Sequence, residues 1–196
     1  MNKLSFVLLA IIGFALVSCS SDSVAPEYKP ISFADSKPLV FNVSAINVVN
    51  EYQSPGIAPN VEHLFITTPA QALQVWGKER LQAKGTSKSL RIVIKDASVI
   101  EQAIPKSEGW KGTFTKEQTS NFTARLNARL EIVGDDPIFP EAEINVTVSR
   151  SKTLGEDATL NDRNALYYEL TNELINDFNK EAEKNIQTSF YKYLVQ

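Results

Sequence analysis

The sequence predicts an α+β two-layer sandwich: a mostly antiparallel four-stranded sheet with two helices on one face, in the order β-α-β-β-β-α. Three observations carry this. Phe122, Ala124, Leu126, Ala128, Leu130 and Ile132 alternate with Asn121, Thr123, Arg125, Asn127, Arg129 and Glu131, a period of two that makes a long antiparallel strand, dry on one side and wet on the other. Leu166 with Tyr167, Leu170, Leu174, Phe178, Ala182, Ile186 and Phe190 recur every three to four residues, as on a long amphipathic helix. Thr68-Pro69-Ala70-Gln71 opens a second helix between two segments rich in β-branched residues.

Taken in order, Leu39 to Val49 is the first strand, bounded by Pro38 and by Asn50-Glu51, with Leu39, Phe41, Val43 and Ala45 facing one way. A loop containing Pro55, Gly56 and Pro59 follows. Thr68 caps free backbone N–H groups, Pro69 suits the first turn, and Gln71 completes a capping box. Leu73, Trp76, Gly77 and Leu81 then fall on an arc of about 140° at 100° per residue. With Gly85 as the stop, the spacing predicts a helix from 69 to about 84. Leu90-Arg91-Ile92-Val93-Ile94-Lys95 alternates as a second strand and loses phase near Asp96-Ala97, as at a bulge or bend. Pro105 to Gly112 turns the chain. Gly134-Asp135-Asp136-Pro137 turns it again after the long strand, and Ile144, Val146 and Val148 return as the hairpin partner. Thr159 with Asp162 opens the last helix, about nine turns at 3.6 residues each, whose apolar stripe packs along the dry face of the sheet.

The amino terminus is of a different kind. After Lys3, Phe6 to Val17 carries no charge, which marks a secretory signal. The run of twelve apolar residues falls well short of the roughly 20 a helix needs to cross hydrocarbon, so removal after export is expected. Leu16-Val17-Ser18-Cys19 resembles the lipobox of bacterial lipoproteins. That resemblance implies that residues 1–18 are a signal peptide, that the Cys19 thiol receives a diacylglyceryl group, and that the amino group freed by cleavage is acylated. Cys19 is the only cysteine, so a disulfide within the mature chain is excluded. Several acyl chains, at about 0.8 kcal/mol per buried CH₂, give stable anchoring to a bilayer. Ser20 stands where aspartate is the usual inner-membrane retention signal. By the family's rule this favours the outer membrane, with the domain on the periplasmic side. Residues 20–38 hold three prolines and no glycine and read as an extended tether, able to reach up to about 60 Å. The alternative for its second half is an irregular arm packed through Tyr28, Ile31 or Phe33. Residues 39–196 form a single domain.

Removal of the signal takes away one lysine, leaving 23 acidic side chains against 19 basic and a net charge of −4. Nucleic acid is therefore a poor partner. His63 is the single histidine, so a triad, a His-rich metal site or a His–Cys pair cannot be built within one chain. In Val61-Glu62-His63-Leu64-Phe65 it reads as a surface or half-buried residue leading into a short strand. No phosphate loop or dinucleotide fingerprint is present, and no cofactor, metal ligand or catalytic residue is assigned. An acid-only hydrolase would need two buried, facing carboxylates. Glu141 and Glu143 lie at i, i+2 on a wet strand face, about 7 Å apart by strand rise, and Asp135 and Asp136 have backbone reasons to occupy a turn. Arg125, Arg129, Arg150 and Lys152 read either as a basic patch on the wet face or as charges that keep that face soluble.

Leu160 to Tyr168 is the densest run of polar and aromatic residues. Arg163, Tyr167 and Tyr168 are the candidate partner contact, since arginine and tyrosine are favoured interface anchors. The alternative is that Asp162 caps the helix, Arg163 is solvated and one tyrosine faces the core. With its lipobox, tether and element order, and with Trp76-Gly77-Lys78-Glu79-Arg80-Leu81 on its first helix, the chain resembles the auxiliary lipoproteins of ABC-type lipid transport systems. More distantly it resembles the lipoprotein plug of lipopolysaccharide export. It departs from the transport lipoproteins in lacking their tyrosine-leucine-proline opening strand before residue 39. The expected role is a non-enzymatic, membrane-anchored adaptor or accessory subunit of an envelope complex. The alternative is a lipoprotein that binds a small lipid or glycan between sheet and helices, lined by Trp76, Trp110 and phenylalanines.

Overall fold

The computed structural model describes residues 27–105, 118–136 and 138–195. The signal segment, Cys19 and Trp110 lie outside them.

The alternating segment forms the central strand, β6 (Gln118–Val133). Its even-numbered side chains from Phe122 to Ile132 are all fully buried, because each faces the helical layer. Strand β7 (Ala142–Gly155) runs antiparallel along one edge of β6, from Ile132↔Ala142 to Gln118↔Gly155. The other edge is shared by β4 (Ser89–Asp96) and β5 (Val99–Ala103), both antiparallel to it. The loss of phase at Asp96-Ala97 is the junction between them, where the register shifts between Ile94 and Asp96. Strand β2 (Ala45–Asn50) closes the sheet beside β4 and runs parallel to it. The sheet is thus mixed: three antiparallel pairings and one parallel, and the parallel pair is connected through a helix as such pairs require.

Helix α1 (Pro69–Arg80) begins with the predicted capping box, and α2 (Leu160–Ser189) begins with a second, in which Thr159 and Asp162 bond reciprocally. Both helices lie on the same face. Leu73 and Trp76 of α1 and Leu170, Leu174, Phe178, Ala182 and Ile186 of α2 join the even-numbered β6 residues and Leu90, Ile92 and Ile94 of β4 in one core. Gly77 lets α1 sit close on the sheet: a Cβ there would come within 2.7 Å of Val48 Cγ2.

The first strand differs from the expected 39–49. It breaks into β1 (Leu39–Phe41) and β2, and β1 leaves the main sheet to pair in parallel with β3 (Leu81–Ala83). The same pairing shortens the first helix. Leu81 is extended rather than helical (φ −116°, ψ 140°), so α1 ends at Arg80 instead of running on to Gly85. The carboxyl terminus joins this second sheet, with Val195 N–H donating to the Val40 carbonyl at 2.9 Å.

Gly85 has another task. Its N–H donates to the Val43 carbonyl at 2.8 Å, and a Cβ on it would stand 2.5 Å from the Asn42 carbonyl carbon and 2.6 Å from Val43 N. Those are backbone atoms, which cannot give way cheaply. Gly85→Ala is expected to cost roughly 1–3 kcal/mol, as overpacking does. Gly56→Ala, where a Cβ meets nothing within 4 Å, suffers only from its φ of +68° and should cost about 1 kcal/mol. Urea unfolding of the two variants checks the order.

Residues 27–38 pack on the domain as an arm, which is the alternative to a free tether along this stretch. Phe33 is buried in the core and Ile31 packs against it. Glu79 of α1 clasps the arm, accepting from Phe33 N–H at 2.6 Å and from Ser32 Oγ at 2.7 Å. The Phe33 N–H, followed by the Ser32 hydroxyl, holds the Glu79 carboxyl below its ordinary pKa.

Candidate functional site

The first turns of α2, the arm and the approach to α1 meet at one end of the domain, and the three predicted contact residues are brought together there. Each is engaged within the molecule. Arg163 Nη1 donates to Glu101 Oε2 at 3.0 Å and to Tyr167 Oη at 3.2 Å, and the guanidinium lies 5.3 Å from the centre of the Phe122 ring. Glu101 can reach it because Glu101 pairs with Phe122 in register and so points to the helical side. Tyr167 is buried, stacked on Phe65 with centroids 4.1 Å apart and set edge-on to Phe122. Arg163 is therefore not simply solvated, and Tyr167 is the tyrosine that faces the core. Tyr168 is half-buried and stacks at 4.8 Å on Tyr28 of the arm.

The stacked pair forms one wall of a groove of about 320 Å³, completed by Ile31, Ile66, Thr67 and Thr171, with Lys29 at its margin. The Tyr28 hydroxyl is buried and has no hydrogen-bond partner among the described residues. Ile66 is 76% exposed, and Ile57 and Leu64 on the same loop are exposed as well.

Beneath this loop lies a site that sequence reasoning missed. Residues 62–64 form a 3-10 turn rather than the start of a strand; His63 is exposed, while its neighbour Glu62 is only 2% exposed. The Glu62 carboxylate accepts from Tyr52 Oη (2.6 Å), Ser54 Oγ (2.6 Å) and Val99 N–H (3.0 Å). Its position beside a histidine in a short mixed run carried no signal of burial. Desolvation pushes its pKa up, but the hydroxyls of Ser54 and Tyr52 and the Val99 N–H together outweigh it and hold the carboxyl below the ordinary value. Burial, and then Glu62 itself, push the Tyr52 phenol up.

The arrangement ties the 51–60 loop to β5. Hydrogen bonds to a charged group contribute about 1.5–3 kcal/mol each, so Glu62→Gln should lower stability at neutral pH by an amount on that scale. A carboxyl whose folded pKa is depressed contributes stability above its unfolded pKa of about 4.3 and loses it as pH falls through the folded value. Denaturant titrations should show the wild-type advantage at pH 7 shrinking below about pH 4. An advantage that held constant with pH would contradict the assignment.

The remaining candidates form no common centre. Glu141, Glu143, Asp135 and Asp136 are all exposed, and Glu141 is occupied by Lys88 Nζ at 2.5 Å and Tyr193 Oη at 3.3 Å. The four cations do not share a face. Arg125 and Arg129 point away from the helices, whereas Arg150 and Lys152 pair in register with the inward-facing Ala124 and Phe122. The latter two meet a row of acids on α2: Arg150 pairs with Asp177, and Lys152 with Glu169 at 2.8 Å and Glu173 at 2.9 Å. On the open face Glu131, expected to be wet, is 2% exposed because Arg91 and Arg129 close over it at 2.5 and 2.7 Å. Trp76 is fully enclosed and lines no opening. Among the described residues no group of three or more His, Cys, Asp or Glu could hold a metal ion, and no helix is long and apolar enough to cross a membrane.

The fold and site define a two-layer α+β domain with an amino-terminal arm laid beside an apolar groove. No family model matches the chain, and no curated protein matches it in sequence. Among solved structures it is similar to a minor lipoprotein from Acinetobacter baumannii, with a TM-score of 0.43 and 15% identity over 81% of this chain and 99% of that one.

Proposed function

We propose that this chain is a bacterial envelope lipoprotein. Its domain is held to a bilayer through the acylated Cys19 and serves as a non-enzymatic adaptor or accessory subunit of an envelope complex. The single observation that carries the reading is Leu16-Val17-Ser18-Cys19 at the end of a charge-free run of twelve residues. The course of the arm supports it: among the described residues Tyr28, nine positions after Cys19, already stacks on Tyr168 of α2. Ser20 in place of aspartate favours the outer membrane, periplasmic face. The lipid transport complexes served by the auxiliary lipoproteins that this sequence resembles are the complexes proposed as its partners.

Affinity purification from detergent-solubilised envelopes tests the adaptor role. Repeated recovery with the same membrane proteins is expected, and recovery of the chain alone would overturn that role while leaving the anchor standing.

A further inference from the structure

We propose that the arm-bearing end of the domain rests directly on the bilayer, with Leu64 and Ile66 set into the boundary between headgroups and acyl chains. The inference rests on the lipid anchor at Cys19 proposed above and adds to it an orientation and a second contact. Ile57, Leu64 and Ile66 are exposed by 70%, 54% and 76%, three apolar side chains on one loop. The loop is not loose. Asn60 bridges to Ile100 of β5, Val61 N–H donates to the Val99 carbonyl at 2.9 Å, and Glu62 accepts from Val99 N–H at 3.0 Å. A fold that builds a rigid support under exposed isoleucine and leucine presents them to something apolar.

The covalent path says what that is. Glu27, the first described residue, follows Cys19 by eight positions. At 3.3–3.6 Å per residue this places it at most about 29 Å from the lipidated atom. Glu79 and the burial of Phe33 fix where the arm meets the domain, so this end stays within that distance of the leaflet. Ile66 and Tyr28 line the same groove, with Lys29 at its margin. The half-buried Tyr168 has the apolar body and polar tip suited to the level of the headgroups, and lysine suits the phosphates above them. A second exposed apolar pair, Ile138 and Phe139, follows the opposite end of β6. It lies about 35 Å from the Phe122 end by strand rise and serves as an internal control.

The test uses the full lipidated chain carrying either Ile66→Cys or Phe139→Cys. The Cys19 sulfur is held in a thioether, so the introduced thiol is the only one. Each variant is labelled with a polarity-sensitive dye and reconstituted into phosphatidylcholine–phosphatidylglycerol vesicles, with and without lipids brominated on the acyl chain. The dye at 66 should emit further to the blue and lose most of its intensity to brominated lipid, while the dye at 139 does neither. Equal quenching of both by aqueous iodide would overturn the proposal. So would a dye at 66 that is shielded from iodide yet insensitive to brominated lipid, since the occupant would then be protein, such as a second copy of the chain. If the protein fails to float with the vesicles, the anchor itself is refuted and the docking with it.

Discussion

A Cys19→Ser protein is expected to lose its acyl chains completely while keeping its fold. Two or more acyl chains, each contributing about 0.8 kcal/mol per buried CH₂, hold a protein stably, whereas a single chain is marginal. Serine offers no thiol for the first transfer, and without that transfer the lipobox route gives neither cleavage before residue 19 nor acylation of the new amino group. The expected loss is therefore all or none. The fold should be indifferent, because the Tyr28–Tyr168 stack that seats the arm lies nine positions beyond Cys19. Metabolic labelling with a clickable fatty acid checks the chemistry, and thermal melting checks the fold. A serine variant that still incorporated label would refute the assignment of Cys19, and one with a displaced melting curve would contradict the independence of anchor and domain.

Trp76→Ala should give the largest loss of stability of any single substitution considered, about 3–5 kcal/mol, the range for deleting a large buried aromatic. Trp76 is fully enclosed and meets Phe178 edge-on with centroids 5.1 Å apart. Its Nε1–H donates to Asn179 Oδ1 at 2.8 Å, and the same oxygen accepts from Arg80 Nε at 3.1 Å, whose Nη2 reaches Glu183 at 2.7 Å. The ring is thus both core and one end of a polar chain joining α1 to α2. Trp76→Phe keeps much of the volume but removes the donor and part of the ring, so it should cost less than the alanine variant, about 1–3 kcal/mol. Asn179→Ala combined with Trp76→Ala should cost less than the two separate losses added together, because both act on one network. Urea unfolding measures all of these. A loss below about 1 kcal/mol for Trp76→Ala would mean that the core collapses around the gap.

The two capping boxes, the period-two strand and the stripe of α2 were legible because each is a short-range pattern whose physical cause lies within a few residues. The same reading placed Arg150 and Lys152 with Arg125 and Arg129. It failed there because the register of β7 puts the first two under the helical face, where Glu169, Glu173 and Asp177 meet them. Glu62 and Glu131 could not have been found this way. A buried carboxylate is identified by the groups around it, which are the donors Tyr52, Ser54 and Val99 in one case and the cations Arg91 and Arg129 in the other.

The candidate contact at Arg163, Tyr167 and Tyr168 divides in the same way. Its composition singled out three residues that the fold gathers at one end of the molecule, but which face each side chain turns depends on partners far along the chain: Glu101, Phe65 and Tyr28. By itself, then, the sequence determined the layers, the helix starts and the bend between β4 and β5, and it alone carries the anchoring chemistry proposed at Cys19. Only the tertiary structure decided that β1 deserts the main sheet for β3, that α1 stops at Arg80, that the arm lies on the domain, and that an apolar loop faces outward beside it. The division follows from range. Propensity and periodicity act over a few residues, whereas strand pairing, burial of charge and the course of an irregular arm are set by contacts between segments tens of residues apart.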